Sequence, residues 1–164
     1  IASFIAVAVT SMLVLDLRLR VSATQLRDVE TDADTAIHAV DSILRGGAVI
    51  RSMGMVGGRD AITLDVPTVT SAGAVLATQD RITITPNATQ PERIELQVAP
   101  AAGSRLPVGT RTIARHVTAF HIRSHHPIPT NARALTITIT SAITGGPTTV
   151  TATRATVVAL RNLP

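Results

Sequence analysis

The chain has 164 residues, of which 45% are hydrophobic and 1% are aromatic, with two Phe and no Trp or Tyr. Its basic residues are all Arg, and fifteen of them against eleven carboxylates give a formal net charge of +4 at pH 7. This length supports one domain with an aliphatic core. The arginines are scattered singly and aromatic rings for base stacking are almost absent, so the sequence permits nucleic-acid binding without supporting it. The absence of Cys excludes disulfides and thiol nucleophiles.

A long helix is predicted at the start of the chain. Residues 1–15 carry no charge, Gly or Pro, and three charged residues follow within the next five positions. A membrane-spanning helix needs about 20 apolar residues, so this run falls short of one. All ten Gly and nine Pro residues lie after Arg45. We therefore predict one helix over residues 1–45, ended by Gly46 and Gly47.

The predicted helix changes character along its length. Residues 1–21 are apolar all round, whereas residues 22–45 carry an apolar stripe with three- and four-residue spacing and charged side chains on the opposite face. We expect this stripe to pack against a globular β-sheet domain formed by residues 46–164. The side chains predicted to make the helix–sheet contact are Leu26, Val29, Ala33, Ile37, Val40 and Leu44.

The rest of the chain favours strands. Residues 53–58 are predicted to form a flexible connection because three of the six are Gly. Alternating apolar and polar residues predict strands at 81–85, 93–98 and 135–140, and residues 112–122 are a further strand candidate. Gly145-Gly146-Pro147 predicts a hairpin into a last strand over 148–161. The expected fold class is α+β, with the long helix packed on one antiparallel sheet.

Three segments of this strand-rich part resemble strands of the type IV pilin and pseudopilin superfamily, most closely its minor pseudopilin J and minor pilin W class. The segments are RTIARHVTAFHI at 111–122, IPTNARALTIT at 128–138 and TATRATVVALRN at 151–162. The order of a helix, apolar and then amphipathic, before a small antiparallel sheet is also similar to this superfamily. The resemblance implies a pilin-like fold over nearly the whole chain.

The opening residues IASFIA at 1–6 resemble a later part of the superfamily's mature N-terminal run. On this interpretation about seven residues precede Ile1, and adding them would bring the apolar stretch to about 22 residues, enough to span a bilayer. The family's Glu at the fifth position is not matched, since Ile5 stands there in this sequence. No residue in the sequence can therefore be assigned to the docking ion pair that the family's Glu makes with a neighbour's N-terminal amine.

The resemblance implies a structural subunit, and a minor one, of a type IV pilus or a type II secretion pseudopilus. Such a subunit is anchored in the inner membrane by its helix before assembly and then lies in an extracellular or periplasmic filament. Its partners are the inner membrane, the prepilin peptidase and other pilin or pseudopilin subunits, and it uses no cofactor. The implied assembly surface comprises Ile1, Ala2, Phe4, Ile5, Ala6, Val9, Met12 and Leu13.

The alternative is a single-pass membrane-anchored exported β-rich binding domain. A helix that continues from the apolar run to Leu44 without a linker favours the filament subunit. An enzyme is not expected, because the sequence has no Gly-x-Ser-x-Gly elbow, phosphate-binding Gly loop or His-Glu-x-x-His motif.

Two further patterns suggest metal ligands, and both are better explained otherwise. His116 and His121 point to opposite faces of a strand, and His125 and His126 fall in a Pro-rich turn, so no shared metal site is expected. The alternating carboxylates at 28, 30, 32 and 34 lack the turn Gly and terminal Glu of a calcium loop, and a solvated helix face is predicted. Asn87-Ala88-Thr89 fits a glycosylation sequon.

Overall fold

A computed structural model of the chain describes residues 2–45, 49–145 and 148–160. The first segment is one α-helix, α1, over Ala2–Arg45. With about 1.5 Å of rise per residue, a helix of these 44 residues is roughly 66 Å long. Arg45 in the last turn donates from Nε to Asp41 Oδ2 over 2.7 Å, which places a cation near the negative end of the helix dipole. Ile1 and the predicted stop at Gly46 and Gly47 lie outside the described residues.

Eight strands and a short 3₁₀ helix follow α1. The 3₁₀ helix covers Pro129–Asn131. The strands are β1 Val49–Val56, β2 Arg59–Val69, β3 Val75–Pro86, β4 Ile94–Ala99, β5 Gly109–Ala114, β6 Val117–Ser124, β7 Ala134–Gly145 and β8 Thr148–Ala159.

The strands form two antiparallel sheets, each with its strands in chain order. One sheet has the order β1-β2-β3-β4-β5 and the other has the order β6-β7-β8. Helix α1 packs mainly on β7 and β8 and also touches β5, at the edge of the larger sheet. The fold is therefore α+β, with one N-terminal helix packed on antiparallel sheets. The prediction of a single sheet was wrong.

The chain changes sheets at His116, inside the segment predicted to be one strand over 112–122. His116 has a φ of 55°, in the left-handed region that a non-glycine residue seldom adopts. After this turn the Val117 amide donates to Glu92 O over 2.8 Å, while β5 ends at Ala114. Apolar residues stand on both sides of the break and neither Gly nor Pro marks it, so the sequence pattern did not indicate it.

The Gly-rich segment 53–58, predicted to be a flexible connection, is instead part of a hairpin. Met53 to Val56 belong to β1, and the pair Val56↔Arg59 closes on a turn formed by Gly57 and Gly58. Both glycines have positive φ, 57° and 77°. Two-residue hairpin turns of this type need positive φ at both positions, so the glycines serve the turn rather than flexibility.

The remaining strand predictions were confirmed. In β3, β4 and β7 the apolar side chains of each alternating pattern are buried, as Ile82, Leu96 and Ile137 illustrate, except for half-buried Val98 at the end of the pattern in β4. The predicted hairpin between β7 and β8 is present and ends in the pair Gly145↔Thr148, although residues 146–147 of its turn are not described. The buried side chains of α1 and of both sheets form one core cluster, and Phe120 is its largest member.

Candidate functional site

Helix α1 leaves the core at Val29, and the preceding turns are exposed. Val29 is fully buried, whereas nearly all described side chains from Thr10 to Asp28 are exposed, with only Ser22 and Gln25 half-buried. We call residues 10–28 the free half of the helix. Its exposed large apolar side chains are Met12, Leu13, Val14, Leu15, Leu17, Leu19, Val21 and Leu26.

The helix–sheet contact predicted from the stripe is present from Val29 onward. Val29, Ala33, Ile37, Val40 and Leu44 are buried, but Leu26 is 41% exposed and does not contribute to the core. The apolar spacing of the sequence continues one turn beyond the point at which the helix leaves the domain. Spacing alone therefore placed the start of the contact one turn too early.

The predicted assembly residues all lie at the free end of the chain. Ala2, Phe4, Ile5, Ala6 and Val9 belong to α1, although their side chains are outside the described part of the structure, as is Ile1. Further along, Met12 and Leu13 are 75% and 62% exposed. The two are adjacent in sequence, about 100° apart on a helix of 3.6 residues per turn, so the free half is apolar on more than one side.

One ion pair lies on the free half. Arg20 Nε is 2.9 Å from Asp16 Oδ2, four residues away on the same helix, and both side chains are more than half exposed. A pair of this kind neutralises two charges locally but holds the helix to nothing else.

Three carboxylates of the acidic series at 28–34 pair with side chains of the domain, which the prediction of a solvated face did not include, although all three stay partly exposed. Arg154 of β8 reaches Asp34 over 2.8 Å and Glu30 over 3.3 Å. On the other side His116 Nδ1 lies 2.9 Å from Asp32 Oδ2. Asp28 takes part in none of these pairs. These contacts join the helix to the domain at the surface, where the helix leaves the core, and each is partly exposed.

The electrostatics of Arg154 follow from these contacts. Hydrogen bonds to Asp34 and then to Glu30 raise the pKa of the Arg154 guanidinium above its ordinary value. A group whose pKa is raised by folding contributes its stability fully below the ordinary pKa and loses it as pH rises through the raised one. On the side of the guanidinium, the contribution of Arg154 is therefore complete at neutral pH and is lost as the pH rises into strong alkali.

The four clustered histidines have separate surroundings. His116 pairs with Asp32, and His121 Nδ1 lies 3.8 Å from Asp60 Oδ2. His125 and His126 make hydrogen bonds to Thr136 Oγ1 and to the main chain of Ile128, respectively. Over the described parts of the chain no group of three or more His, Asp or Glu side chains is placed to hold a metal ion.

The sequon lies in the turn after β3. Asn87 Oδ1 accepts hydrogen bonds from the amides of Thr89 and Gln90, each over 2.8 Å. The side chain therefore organises the turn in which it stands.

Sequence reasoning missed the residues that join the two sheets. Asp60 Oδ2 accepts the main-chain N–H of Ile122 over 2.7 Å, and Arg59 Nε donates to Thr118 O over 3.3 Å, with both partners in β6. Both residues begin β2, next to the Gly57-Gly58 turn. Their partners are 62 and 59 positions away, so no local pattern identifies them.

No family model, curated protein or solved structure matches the chain. Within residues 2–45, 49–145 and 148–160, no helix has both the length and the apolar character needed to cross a membrane.

Proposed function

We propose that this chain is a structural subunit of a filament of the type IV pilin or pseudopilin kind, and a minor one, which associates through the free half of α1. The observation that carries the proposal is a single uninterrupted helix with two environments. The apolar stripe from Val29 to Leu44 is buried in the domain, and residues 10–28 expose a run of large apolar side chains.

Exposure of this apolar run to water is energetically unfavourable, so we expect a partner to cover it. Soluble monomers rarely expose large contiguous apolar patches, and burial of apolar surface contributes about 25 cal/mol per Å². Among the exposed side chains, Leu17 and Leu19 are each about two-thirds exposed. A bundle of such helices from neighbouring subunits would remove them from water, with the domains arranged outside the bundle.

The contact between helix and domain suits a structural role. The buried stripe and the pairs to Arg154 and His116 make the helix and the sheets one unit, so the direction of the helix dictates where the domain stands. In the proposed pathway the helix is held in the inner membrane, the prepilin peptidase processes the precursor, and assembly moves the helix into a filament among other pilin or pseudopilin subunits. The filament is extracellular or periplasmic.

Site-specific photocross-linking tests the proposal. A benzophenone amino acid would replace Leu17 on the free half or, as a matched control, Val157 on β8; these side chains are 67% and 57% exposed and both are apolar. Because benzophenone captures any neighbour within reach, the experiment does not depend on the stagger between helices. In a sheared filament fraction, we expect position 17 to cross-link to other subunits. Position 157 should give no cross-links to the helices of neighbouring subunits.

The alternative function gives a different result in the same experiment. An anchored binding domain would stay in the membrane fraction, and position 17 would give lipid adducts without cross-links to subunits. That outcome would rule out the filament proposal.

A further inference from the structure

An apolar groove lies on the inner face of the larger sheet, away from the free half of the helix. Its volume is about 310 Å³, within the range of ligand pockets. The floor is formed by Ile82, Leu96 and Val98, and Ile43 of α1 contributes to the side. A second depression of about 560 Å³ adjoins it and shares Ile43, Ile82 and Leu106.

The outer wall of the groove is held in place by a buried carboxylate. Asp80 is fully buried, and its two oxygens accept hydrogen bonds from the Ala101 amide and from the Ser104 hydroxyl, each over 2.8 Å. The Ser104 hydroxyl in turn accepts the Leu106 amide over 3.0 Å. Leu106 and the following Pro107 and Val108 form the wall, so the groove is shaped before any ligand arrives.

The groove opens along β5, where a side chain is missing. Pairing of β4 with β5 sets Gly109 opposite Val98 and Arg111 opposite Leu96, on the face that carries the floor. A Cβ atom added at Gly109 would meet nothing within 4 Å, and the φ of Gly109 is not in the left-handed region. The opening is therefore due to the absence of a side chain at a position that could carry one.

Two cations stand at the rim without acidic partners. Arg111 lines the groove and Arg105 lines the adjoining depression. Neither guanidinium forms an ion pair with any carboxylate of the described residues, and Asp80 is occupied by the wall. The groove thus combines an aliphatic interior with an unpaired positive charge at its mouth.

We propose that this groove binds a free long-chain monocarboxylate, with the alkyl chain along Ile82 and Leu96 and the carboxylate on Arg111. The interior is lined mainly by aliphatic side chains and offers few polar partners, so it suits an alkyl chain better than a peptide, whose buried amides would need them. A guanidinium at the rim matches a carboxylate in charge and in hydrogen-bonding geometry.

The test is photolabelling of the full chain in phospholipid nanodiscs with dodecanoate that carries a diazirine at its far end. Adducts are mapped by tandem mass spectrometry, which separates groove labelling from labelling of the apolar helix. We expect adducts on Ile43 and on residues 106–109, displaced by unlabelled dodecanoate. Dodecanol, which cannot pair with Arg111, should compete about tenfold less well.

Matched variants identify the groove as the source. Gly109→Leu fills the opening and should reduce groove labelling about tenfold. Gly54→Leu is the control, because a Cβ at Gly54 also meets nothing within 4 Å and Gly54 lies in β1, far from the groove in strand order. Arg111→Gln should weaken labelling and Arg123→Gln, on β6, should not.

Three outcomes would overturn the proposal. Adducts confined to residues 10–26, or insensitive to Gly109→Leu, would show that the helix and not the groove takes the probe. Equal competition by dodecanol would exclude a carboxylate-specific site. A third contrary result has two parts: groove labelling falls as the protein concentration rises, and Gly109→Leu dissociates a complex between copies of the chain. Together these would place a second copy of the chain in the groove. None of these results depends on filament assembly.

Discussion

The backbone of His116 has a left-handed conformation, which residues other than Gly seldom adopt. It lies where the chain passes from one sheet to the other. Its φ of 55° is left-handed, and its ring pairs with Asp32 of the helix over 2.9 Å. For L-residues the left-handed conformation costs about 1–2 kcal/mol, less for Asn and least for Gly. The contact with Asp32 and the hydrogen bonds around the turn offset this strain.

Substitution at His116 separates backbone strain from the ion pair. His116→Val should lower the free energy of unfolding by about 1–2 kcal/mol or more, because a β-branched residue is least tolerated at positive φ. His116→Asn should lose less, since Asn tolerates this conformation although it gives up the pair. Urea unfolding followed by circular dichroism measures both, and equal losses for Val and Asn would contradict the argument.

Asp80 is the buried charged residue on which the loop between β4 and β5 depends. Asp80→Asn leaves one acceptor oxygen for the two donors at Ala101 and Ser104 and sets an NH₂ group against the other, so we expect a loss of about 2 kcal/mol or more in unfolding free energy. Asp65→Asn is the control, because Asp65 pairs only with half-exposed Arg51 and Arg81, and such pairs contribute about 1 kcal/mol or less. Similar losses in the two variants would show that the loop is held by other contacts.

The sequence predicts the burial of single residues well where burial follows from local periodicity. It does not predict pairs between residues that lie far apart in the sequence. Burial of Ile82, Leu96 and Ile137 followed from alternation within a few positions. The pairing of Asp34 with Arg154 joins positions 120 apart, and Asp32 with His116 joins positions 84 apart. No local pattern encodes such distances, so the acidic series was predicted to be solvated.

At the scale of elements, α1 has an energetic boundary near Val29. Leu44 is fully buried in the core, while Leu26 is 41% exposed one turn before the boundary. Leu44→Ala should lower the free energy of unfolding by about 2–5 kcal/mol, through lost burial and a cavity. Leu26→Ala should change it by about 0.5 kcal/mol or less, as for other surface positions. Chemical denaturation of the two variants makes the comparison, and a large loss for Leu26→Ala would move the boundary.

Helices and strands were predictable where the amino-acid composition and the spacing of apolar residues indicated the same structure. The absence of Gly and Pro before residue 46 predicted the helix, and alternation around Gly145 predicted the β7–β8 hairpin. The same reasoning misread Gly57 and Gly58, because Gly signals either a flexible segment or a tight turn. Only the pairing of Val56 with Arg59 decides between the two.

The whole molecule combines a folded unit, in which both sheets share one core with the second half of α1, with a helix half that contributes nothing to that core. Hydrogen bonds from Arg59 to Thr118 O and from the Ile122 amide to Asp60 join the sheets directly. If association uses the free half as proposed, association and folding stability should respond separately to substitution.

Replacing Leu13 and Leu17 together by Gln tests this separation. We expect the unfolding free energy of the domain to stay within about 0.5 kcal/mol of its original value, because both side chains are exposed. Self-association, measured by analytical ultracentrifugation, should fall because apolar surface is removed. A matched change at Val75 and Val157, exposed apolar residues of the strands, should leave association unchanged. Loss of association in the control alone would shift the interface to the sheets.

One of the two aromatic residues lies in the folded domain and the other lies on the part of the helix outside it. The chain has two Phe and no Tyr or Trp; Phe120 is fully buried in the core, and Phe4 lies on the helix near its free end. With fluorinated phenylalanine incorporated throughout, a ¹⁹F NMR spectrum would contain one resonance for each half of the molecule. The line from Phe120 would report folding and the line from Phe4 would report what the helix contacts, so a single sample would follow both events without any substitution.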